Sequence, residues 1–264
     1  MFPHWLNAVI LGIVEGITEF LPVSSTGHLL IVERLLGIRE SDLFNVVIQA
    51  GAVLAVIPLF PQRIGGLFTG LNHPSMRDYW LKIFTAFAIT GAGGLVMEKL
   101  HFKLPEEVFP VGLALLIGGL LFLLIEWRMQ GDSPSDTVTW SVVVAVGIGQ
   151  LVAAMFPGAS RSGTTILLAL VLGLSRPAAT EFTFLVGIPT LLAASGLRIF
   201  KALRHPAADA VPEDWTGVAI AFVVAAIVSF IVVKWMLGYI RTHTFTAFGW
   251  YRIAVGLAVL LFLR

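Results

Sequence analysis

Charge is the scarcest feature of this chain, and cysteine is absent from it. Charged side chains make up 12% of the 264 residues, against about 25% in soluble domains. Hydrophobic residues make up 57%, and the mean hydropathy is +0.91. This balance excludes an ordinary soluble domain and predicts an integral membrane protein. The lack of cysteine gives no indication of redox compartment, and a net charge of +1 gives no indication of nucleic-acid binding.

Two further features are missing. No basic segment precedes the first apolar run, and Glu15 and Glu19 interrupt that run, so we do not expect a cleaved signal peptide. No polar stretch is long enough to form a separate soluble domain. The longest polar connection runs from Arg204 to Asp214.

The first two apolar segments are too short to cross a bilayer alone. Residues 5–21 end at Pro22, and residues 27–36 would form a helix about 15 Å long. The hydrocarbon core of a membrane is about 30 Å thick. Joined by the polar tip at residues 24–26, the two segments predict a re-entrant hairpin. Irregular backbone at this depth is tolerated where it lines a cavity.

The second half of the chain repeats this plan. Another hairpin is predicted from residues 138–156, a polar tip at 160–162, and residues 163–172. Each hairpin is followed by three longer apolar segments, at residues 43–60, 79–99, 109–127, 179–200, 215–237 and 245–263. The predicted fold is an all-α integral membrane protein with six transmembrane helices plus two re-entrant helical hairpins.

A shift of 136 positions superimposes the two halves without a gap. The shift aligns Phe20 with Phe156, Ser24 with Ser160, Gly27 with Gly163, Leu36 with Leu172, Gly37 with Gly173 and Gly51 with Gly187. The three glycine identities favour an internal repeat. An odd number of spans inverts the second copy, as in transporters with inverted-topology repeats. We predict one membrane domain, residues 1–264, with repeats at about 1–130 and 137–264.

Arg161 is the only formally charged residue between Val138 and Val171. A charge inside such a segment costs at least ~2.5 kcal/mol at a helix centre, so it usually faces a cavity or a partner. Arg161 stands in the motif PGASRSGTT, among hydroxyls and glycines and before an apolar helical run. Such a helix start beside a guanidinium suits a bound phosphate. The alternative is an arginine that bridges backbone carbonyls between helices.

Glu15 and Glu19 are four residues apart and project from one helical face. Inside a membrane two such charges repel each other and are poorly hydrated, so they need a cation, a proton or an arginine. A divalent ion that bridges carboxylate and phosphate oxygens meets that need. The alternative is an internal salt bridge to Arg161 or Arg252.

Ser25 and His28 follow the first tip at a spacing of three. A hydroxyl beside a base can act as a nucleophile toward phosphorus, and a histidine exchanges protons near neutral pH. One of Ser24, Ser25 and Thr26 has to cap the helix that starts near Gly27, and a lone histidine is more often structural. The residue pattern alone does not show whether Ser25 or a water molecule attacks the phosphorus atom.

These two motifs resemble those of a known family. The stretch EGITEFLPVSSTGH from Glu15 to His28 and the stretch PGASRSGTT from Pro157 to Thr165 are similar to the motifs of bacterial undecaprenyl-diphosphate phosphatases of the bacitracin-resistance type. The length and the order of spans resemble that family over nearly the whole chain. The alternative class of membrane lipid phosphatases is excluded, because no Lys-Arg-Pro motif precedes Ser24 and no suitably spaced histidine follows Arg161.

The resemblance implies an enzyme of the bacterial plasma (inner) membrane. It would convert undecaprenyl diphosphate to undecaprenyl phosphate, recycle this carrier for peptidoglycan synthesis and confer bacitracin resistance. It also implies a divalent cation (Mg or Ca) and an active site that opens to the outer side; a homodimer is left open. The residues implied in catalysis are Glu15, Glu19, Ser25, His28 and Arg161, with Ser24, Thr26, Ser160, Ser162 and Thr165 around the substrate and Glu15 and Glu19 on the metal.

A transporter or lipid flippase is the competing interpretation, and the inverted repeat alone would favour it. Paired carboxylates near a hydroxyl, a histidine and an arginine favour phosphoryl chemistry instead, because charge must be held and a proton moved. A purely structural membrane protein would leave these polar groups without a role.

Overall fold

The computed structural model describes residues 2–100, 108–130, 133–204 and 214–263. Over these ranges the chain is helical, and its one β-type contact is an isolated bridge between Ser135 and Leu174. The helices of the described part are α1 His4–Thr18, α2 Ser25–Leu36, α3 Asp42–Val56, α4 Pro61–Thr69, α5 Pro74–Lys99, α6 Val108–Arg128, α7 Trp140–Met155, α8 Arg161–Val171, α9 Arg176–Arg204, α10 Trp215–Tyr239 and α11 Thr246–Phe262. The polar connection expected between Arg204 and Asp214 lies outside the described residues.

Every predicted apolar segment forms a helix, which confirms the all-α class. One helix was not predicted. α4 begins at Pro61, where the sequence analysis ended an apolar segment. A proline stops a helix that precedes it but is favoured in the first turn of a helix that follows, since its missing N–H has no partner there anyway.

Five helices of the described ranges are long and apolar enough to cross a membrane, as expected for a multi-pass membrane protein. They are α3 with the short 3-10 turn Ile57–Leu59 that follows it, and α5, α6, α9 and α10. The sixth expected span, α11, has 17 residues and is therefore about 26 Å long, slightly short of a hydrocarbon core. Six spans and two re-entrant hairpins thus remain the finer prediction.

The loops that precede α2 and α8 have the same local structure. Ser24 and Ser160, aligned by the shift of 136 positions, adopt positive φ angles of 77° and 72°. Each side chain caps its helix by accepting a hydrogen bond from the backbone N–H three residues later, at 3.3 Å from Gly27 and 3.1 Å from Gly163. A non-glycine residue at positive φ is strained, and such strain concentrates at functional sites.

The helix packing also follows the repeat. If α1, α2, α3, α5 and α6 are exchanged with α7, α8, α9, α10 and α11, several of the main packing pairs map onto one another. The contact of α1 with α10 becomes that of α7 with α5, and α3 with α10 becomes α9 with α5. The pairs α3 with α9 and α6 with α11 map onto themselves. This pattern supports two related halves.

The buried core holds the first loop against α9. Phe20, which follows Glu19 directly, is fully buried and packs edge-to-face on Phe184 of α9 with ring centroids 4.9 Å apart. Leu21 and Val23 of the same loop are buried in this cluster. The end of α1 is therefore fixed beside α8 and α9, where the second motif lies.

Candidate active site

Both loops contribute to the wall of one cavity of about 1360 Å³. The remaining wall comes from α3, α5, α7 and α9. Six of the predicted site residues line it: Glu19, Ser24, Ser25, Thr26, Ser160 and Arg161. Motifs that lie far apart along the chain therefore meet at one cavity.

A chain of hydrogen bonds joins the two loops at the cavity wall. The Ser25 hydroxyl donates to Glu19 Oε2 at 2.5 Å, and Arg161 Nη2 donates to Glu19 Oε1 at 3.1 Å. The side chains of Glu19 and Arg161 are 5% and 14% exposed, so this ion pair is largely shielded from water. The internal salt bridge considered from the sequence is thus present, and it uses Glu19.

Arg161 has unused hydrogen-bonding capacity. Its Nε and Nη1 atoms are buried and have no hydrogen-bond partner among the described residues. Leaving buried donors unpaired is unfavourable by roughly 1–3 kcal/mol each. A guanidinium presents several donors in a planar fork that matches phosphate oxygens. The geometry is therefore suited to an anion that completes the hydrogen bonding.

Glu15 lies one helical turn before Glu19 and is fully buried. Neither of its carboxyl oxygens has a hydrogen-bond partner within the described part of the chain. No group of three or more His, Cys, Asp or Glu side chains there could hold a metal on its own. Mg²⁺ in phosphate-processing sites commonly takes one or two carboxylates and completes its shell with phosphate and water, and this pair fits that type of site.

Arg252 hydrogen-bonds to both loops and does not line the cavity. This residue of α11 is fully buried, and its guanidinium donates to the carbonyls of Pro22, Ala114, Gly158 and Ala159 at 3.0–3.2 Å. Bridging of carbonyls was the alternative role considered for Arg161. The structure assigns that role to Arg252, because Arg161 stands at the loop tip beside a carboxylate.

His28 faces away from the hydroxyl that it was expected to serve. Its Nδ1 is 2.7 Å from the Ser24 carbonyl oxygen, and its Nε2 is 2.8 Å from the Tyr251 hydroxyl. Since a carbonyl only accepts, Nδ1 carries the proton and Nε2 accepts from Tyr251. Both ring nitrogens therefore have partners other than Ser25. The expected role of His28 in proton transfer stays a prediction, which in this geometry requires the imidazole to turn.

Two other expected substrate ligands bind backbone instead. The Ser162 hydroxyl donates to the Leu21 carbonyl of the opposite loop at 3.0 Å. The Thr165 hydroxyl donates to the Arg161 carbonyl at 2.7 Å. Both residues are fully buried. Their side chains hold the loops in place from behind the cavity wall.

The chain matches the family model described as bacitracin resistance protein BacA over residues 8–258. The chain belongs to the BacA family. Similar proteins named undecaprenyl-diphosphatase occur in Rhizobium etli, at 53% identity over 257 residues, which is 97% of this chain and 96% of that protein. Proteins with the same name occur in Xylella fastidiosa, at 52% over 258 residues (97% and 98%), and in Xanthomonas euvesicatoria, at 52% over 260 residues (98% and 97%).

The cavity of this BacA-family protein has a charged end that the sequence analysis missed. Arg198 of α9 pairs with Asp42 of α3 at 3.1 Å, and Lys201 of α9 pairs with Glu98 of α5. All four residues line the cavity and lie at the ends of their helices. No motif marks them, because each is an ordinary polar residue at the end of an apolar segment.

Two other polar groups within apolar segments have side-chain partners on neighbouring helices. Gln150 of α7 donates to the Thr90 hydroxyl of α5 at 2.8 Å. Glu181 accepts from Arg63 at 2.7 Å and from the Tyr79 hydroxyl at 3.2 Å.

Glu126, near the end of α6, is only 4% exposed. It pairs with Arg176 and accepts from the backbone N–H of Phe245 at 2.8 Å. These contacts join α6, α9 and the start of α11 at a distance from the cavity, so Glu126 has a structural role.

Proposed function

We propose that this protein removes the terminal phosphate of undecaprenyl diphosphate, giving undecaprenyl phosphate and phosphate. The reaction recycles the lipid carrier for peptidoglycan synthesis and confers resistance to bacitracin. Membership of the BacA family and the relatives named undecaprenyl-diphosphatase support this activity. One observation carries it: Arg161, with unpaired guanidinium donors, lies on a cavity beside a serine bonded to a buried carboxylate.

In the proposed reaction, Arg161 binds the terminal phosphate through the donors that have no partner in the protein. Ser25 Oγ attacks the phosphorus atom while its proton passes to Glu19, which already accepts that hydrogen bond. The bond from phosphorus to the bridging oxygen breaks, and undecaprenyl phosphate leaves with that oxygen. A water then hydrolyses the phosphoserine, and Glu19 returns the proton to Ser25.

Glu15 and Glu19 would hold the divalent cation, Mg or Ca, that the family resemblance implies. Bound there, such an ion would neutralise the charge of the diphosphate. The buried, unpartnered oxygens of Glu15 support this assignment. Arg161 keeps Glu19 oriented toward Ser25 whether or not the ion is bound, since it holds the other carboxyl oxygen.

The apolar part of the cavity suits the lipid part of the substrate. Leu95, Leu191 and Leu197 line it together with several glycines and alanines of α5 and α9. We place the protein in the inner membrane with six spans and two re-entrant hairpins, its cavity opening to the outer side. The equivalent loops at Ser24 and Ser160 and the exchange-related packing support the inverted repeat.

The deciding experiment is phosphate release from a polyprenyl diphosphate by pure protein in detergent. We expect stoichiometric release of phosphate, lost with a chelator and restored by Mg or Ca. Arg161→Lys should lower turnover by about 10²-fold or more, because a single ammonium does not reproduce the planar fork. A transporter would release no phosphate in detergent, where there are no compartments to move substrate between, so absence of release would overturn the proposal.

A further inference from the structure

Gly187 lies in the middle of α9, directly against the guanidinium of Arg161. A Cβ atom at this position would be 2.9 Å from Arg161 Cζ and 3.1 Å from Nη2, and closer still to Nη1. In real structures a Cβ atom essentially never lies within 3.0 Å of a heavy atom of another residue. The Arg161 fork therefore occupies the space that any side chain at position 187 would take.

Other groups complete a slot around the same guanidinium. Arg161 Cζ lies 5.7 Å from the centroid of the Phe20 ring, and Phe20 packs on Phe184, which is one helical turn before Gly187. Glu19 binds one end of the fork. The slot thus has Phe20 on one boundary, the α9 backbone on another and the carboxylate at its end.

Comparison with the equivalent glycine of the first repeat distinguishes Gly187 from a glycine that serves helix packing. Gly187 is equivalent to Gly51 under the shift of 136 positions. A Cβ at Gly51 would meet the backbone oxygen of Phe222 at 2.7 Å, so Gly51 permits two helices to approach. At Gly187 the atoms in the way belong to the far end of one flexible side chain. Glycine in a helix interior is less stable than alanine, so its presence here has to be explained by that side chain.

We propose that Gly187 is a positioning residue that sets where the Arg161 fork stands relative to Ser25 and Glu19. This inference rests on the proposed function of Arg161 as the phosphate ligand. With alanine at position 187 the α9 backbone stays, because the guanidinium is the part that can move. The fork then leaves its slot and no longer presents its free donors to the phosphate.

The test is a double-mutant cycle with Gly187→Ala and Arg161→Ala, each alone and combined. The readout is the dissociation constant for a farnesyl diphosphate analogue with a methylene bridge, which cannot be hydrolysed. We expect Gly187→Ala to weaken binding by about 10- to 100-fold in the parent protein, the usual effect of misplacing a binding group by about 1 Å. In the Arg161→Ala background the same change should alter binding by less than about twofold.

Two glycines provide matched controls. Gly196 lies on the same helix with nothing within 4 Å of its would-be Cβ, so Gly196→Ala should bind like the parent. Gly51→Ala should lower the melting temperature through the Phe222 backbone, and by the same amount with or without Arg161. Parent-like binding by Gly187→Ala, or an equal loss in both backgrounds, would overturn the proposal.

Melting temperatures of the same variants test the inference without any measurement of activity. Gly187→Ala should raise the melting temperature in the Arg161→Ala background, where the space is free and alanine favours the helix. It should raise it less, or lower it, in the parent. If Gly187→Ala alone does not fold, the combined variant should; failure of both to fold would contradict the slot. This comparison stands even if the parent releases no phosphate, which would contradict the proposed function alone.

Discussion

Arg161 and Arg252 each bury a guanidinium beside the same two loops, but they meet different groups. Arg161, the first residue of α8, reaches the carboxylate at the end of α1. Arg252, within α11, meets only backbone carbonyls among its described hydrogen-bond partners. A buried cation is stabilised in either way, but only Arg161 lines the cavity. One arginine therefore builds the site and the other is available to a ligand.

The carboxylates provide the prediction at the scale of single residues. In Glu15→Gln the concentration of Mg²⁺ or Ca²⁺ for half-maximal activity should rise by about tenfold or more, because one of two charged ligands is lost. Glu19→Gln should raise it as well and also lower maximal turnover, since Glu19 accepts the Ser25 proton. Activity is measured as phosphate release against metal concentration.

Arg161→Ala is the matched control for this metal titration, because Arg161 is assigned to phosphate. Its metal affinity without substrate, measured by calorimetry, should not fall, because loss of the positive charge beside Glu19 favours a cation there. An unchanged metal requirement in both glutamate variants would remove the cation site and leave only the acid–base role of Glu19.

At the scale of elements, α9 connects the reacting groups to the charged end of the cavity. Near the middle of α9, Gly187 contacts Arg161. Near the end of α9, Arg198 and Lys201 form ion pairs with α3 and α5. Pro189 lies between them and lacks the N–H that would complete the helix ladder. A helix bends most readily at such a point, so we expect its terminal half to open and close this end of the cavity. The two ion pairs are about half exposed or more and hold it only weakly.

This arrangement predicts that joining α3 to α9 inactivates the protein. The chain has no cysteine, so Asp42→Cys and Arg198→Cys introduce the only thiols, and a short bis-methanethiosulfonate reagent can connect them through disulfides that a reductant cleaves. Turnover of a long polyprenyl diphosphate should fall by about tenfold or more after connection and recover on reduction, because a closed entrance excludes the lipid. Each single variant, treated with the same reagent, should keep its activity. Full turnover by the connected protein would show that this end does not have to open.

At the scale of the whole molecule, several contacts between helices stay the same when each helix is replaced by its equivalent from the other half. The loops that join α1 to α2 and α7 to α8 meet at the cavity and have the same capped turn. In an inverted repeat the hairpins enter from opposite faces, so that their tips come together inside the bundle. Such an arrangement gives the site unlike contributions from related loops, carboxylates from one and a guanidinium from the other.

Accessibility of single cysteines checks this topology in intact cells. Ser41 precedes α3, Ser75 lies in the first turn of α5, and Ser133 follows α6. With α3 as one span and α5 and α6 as two more, Ser41→Cys should react with an impermeant thiol reagent from outside. Ser75→Cys and Ser133→Cys should react only after permeabilisation. Serine to cysteine is a small change, so protein levels should remain equal; reaction of all three from one face would contradict the arrangement.

The sequence by itself determined the class of protein, the short hairpin segments and the two motifs. These features depend on local properties: scarcity of charge, segment length against membrane thickness, and residue types at fixed spacings. A cap within residues 24–26 was predicted in the same way, because a capping bond spans only three residues, and the structure shows that Ser24 provides it. Helix α4 was not predicted, because a proline is compatible both with the end of one helix and with the first turn of the next.

The tertiary structure decided which groups meet. Arg161 and Glu19 are 142 residues apart, and Arg252 and Pro22 are 230 apart, so no local spacing predicts either contact. The same holds for His28, whose partner Tyr251 comes from the last helix. Periodicity predicts which side chains share a helix face, but packing decides which helix covers that face. The two arginines are both single charges within apolar segments, and they differ in role because α8 begins at the cavity whereas Arg252 of α11 does not line it.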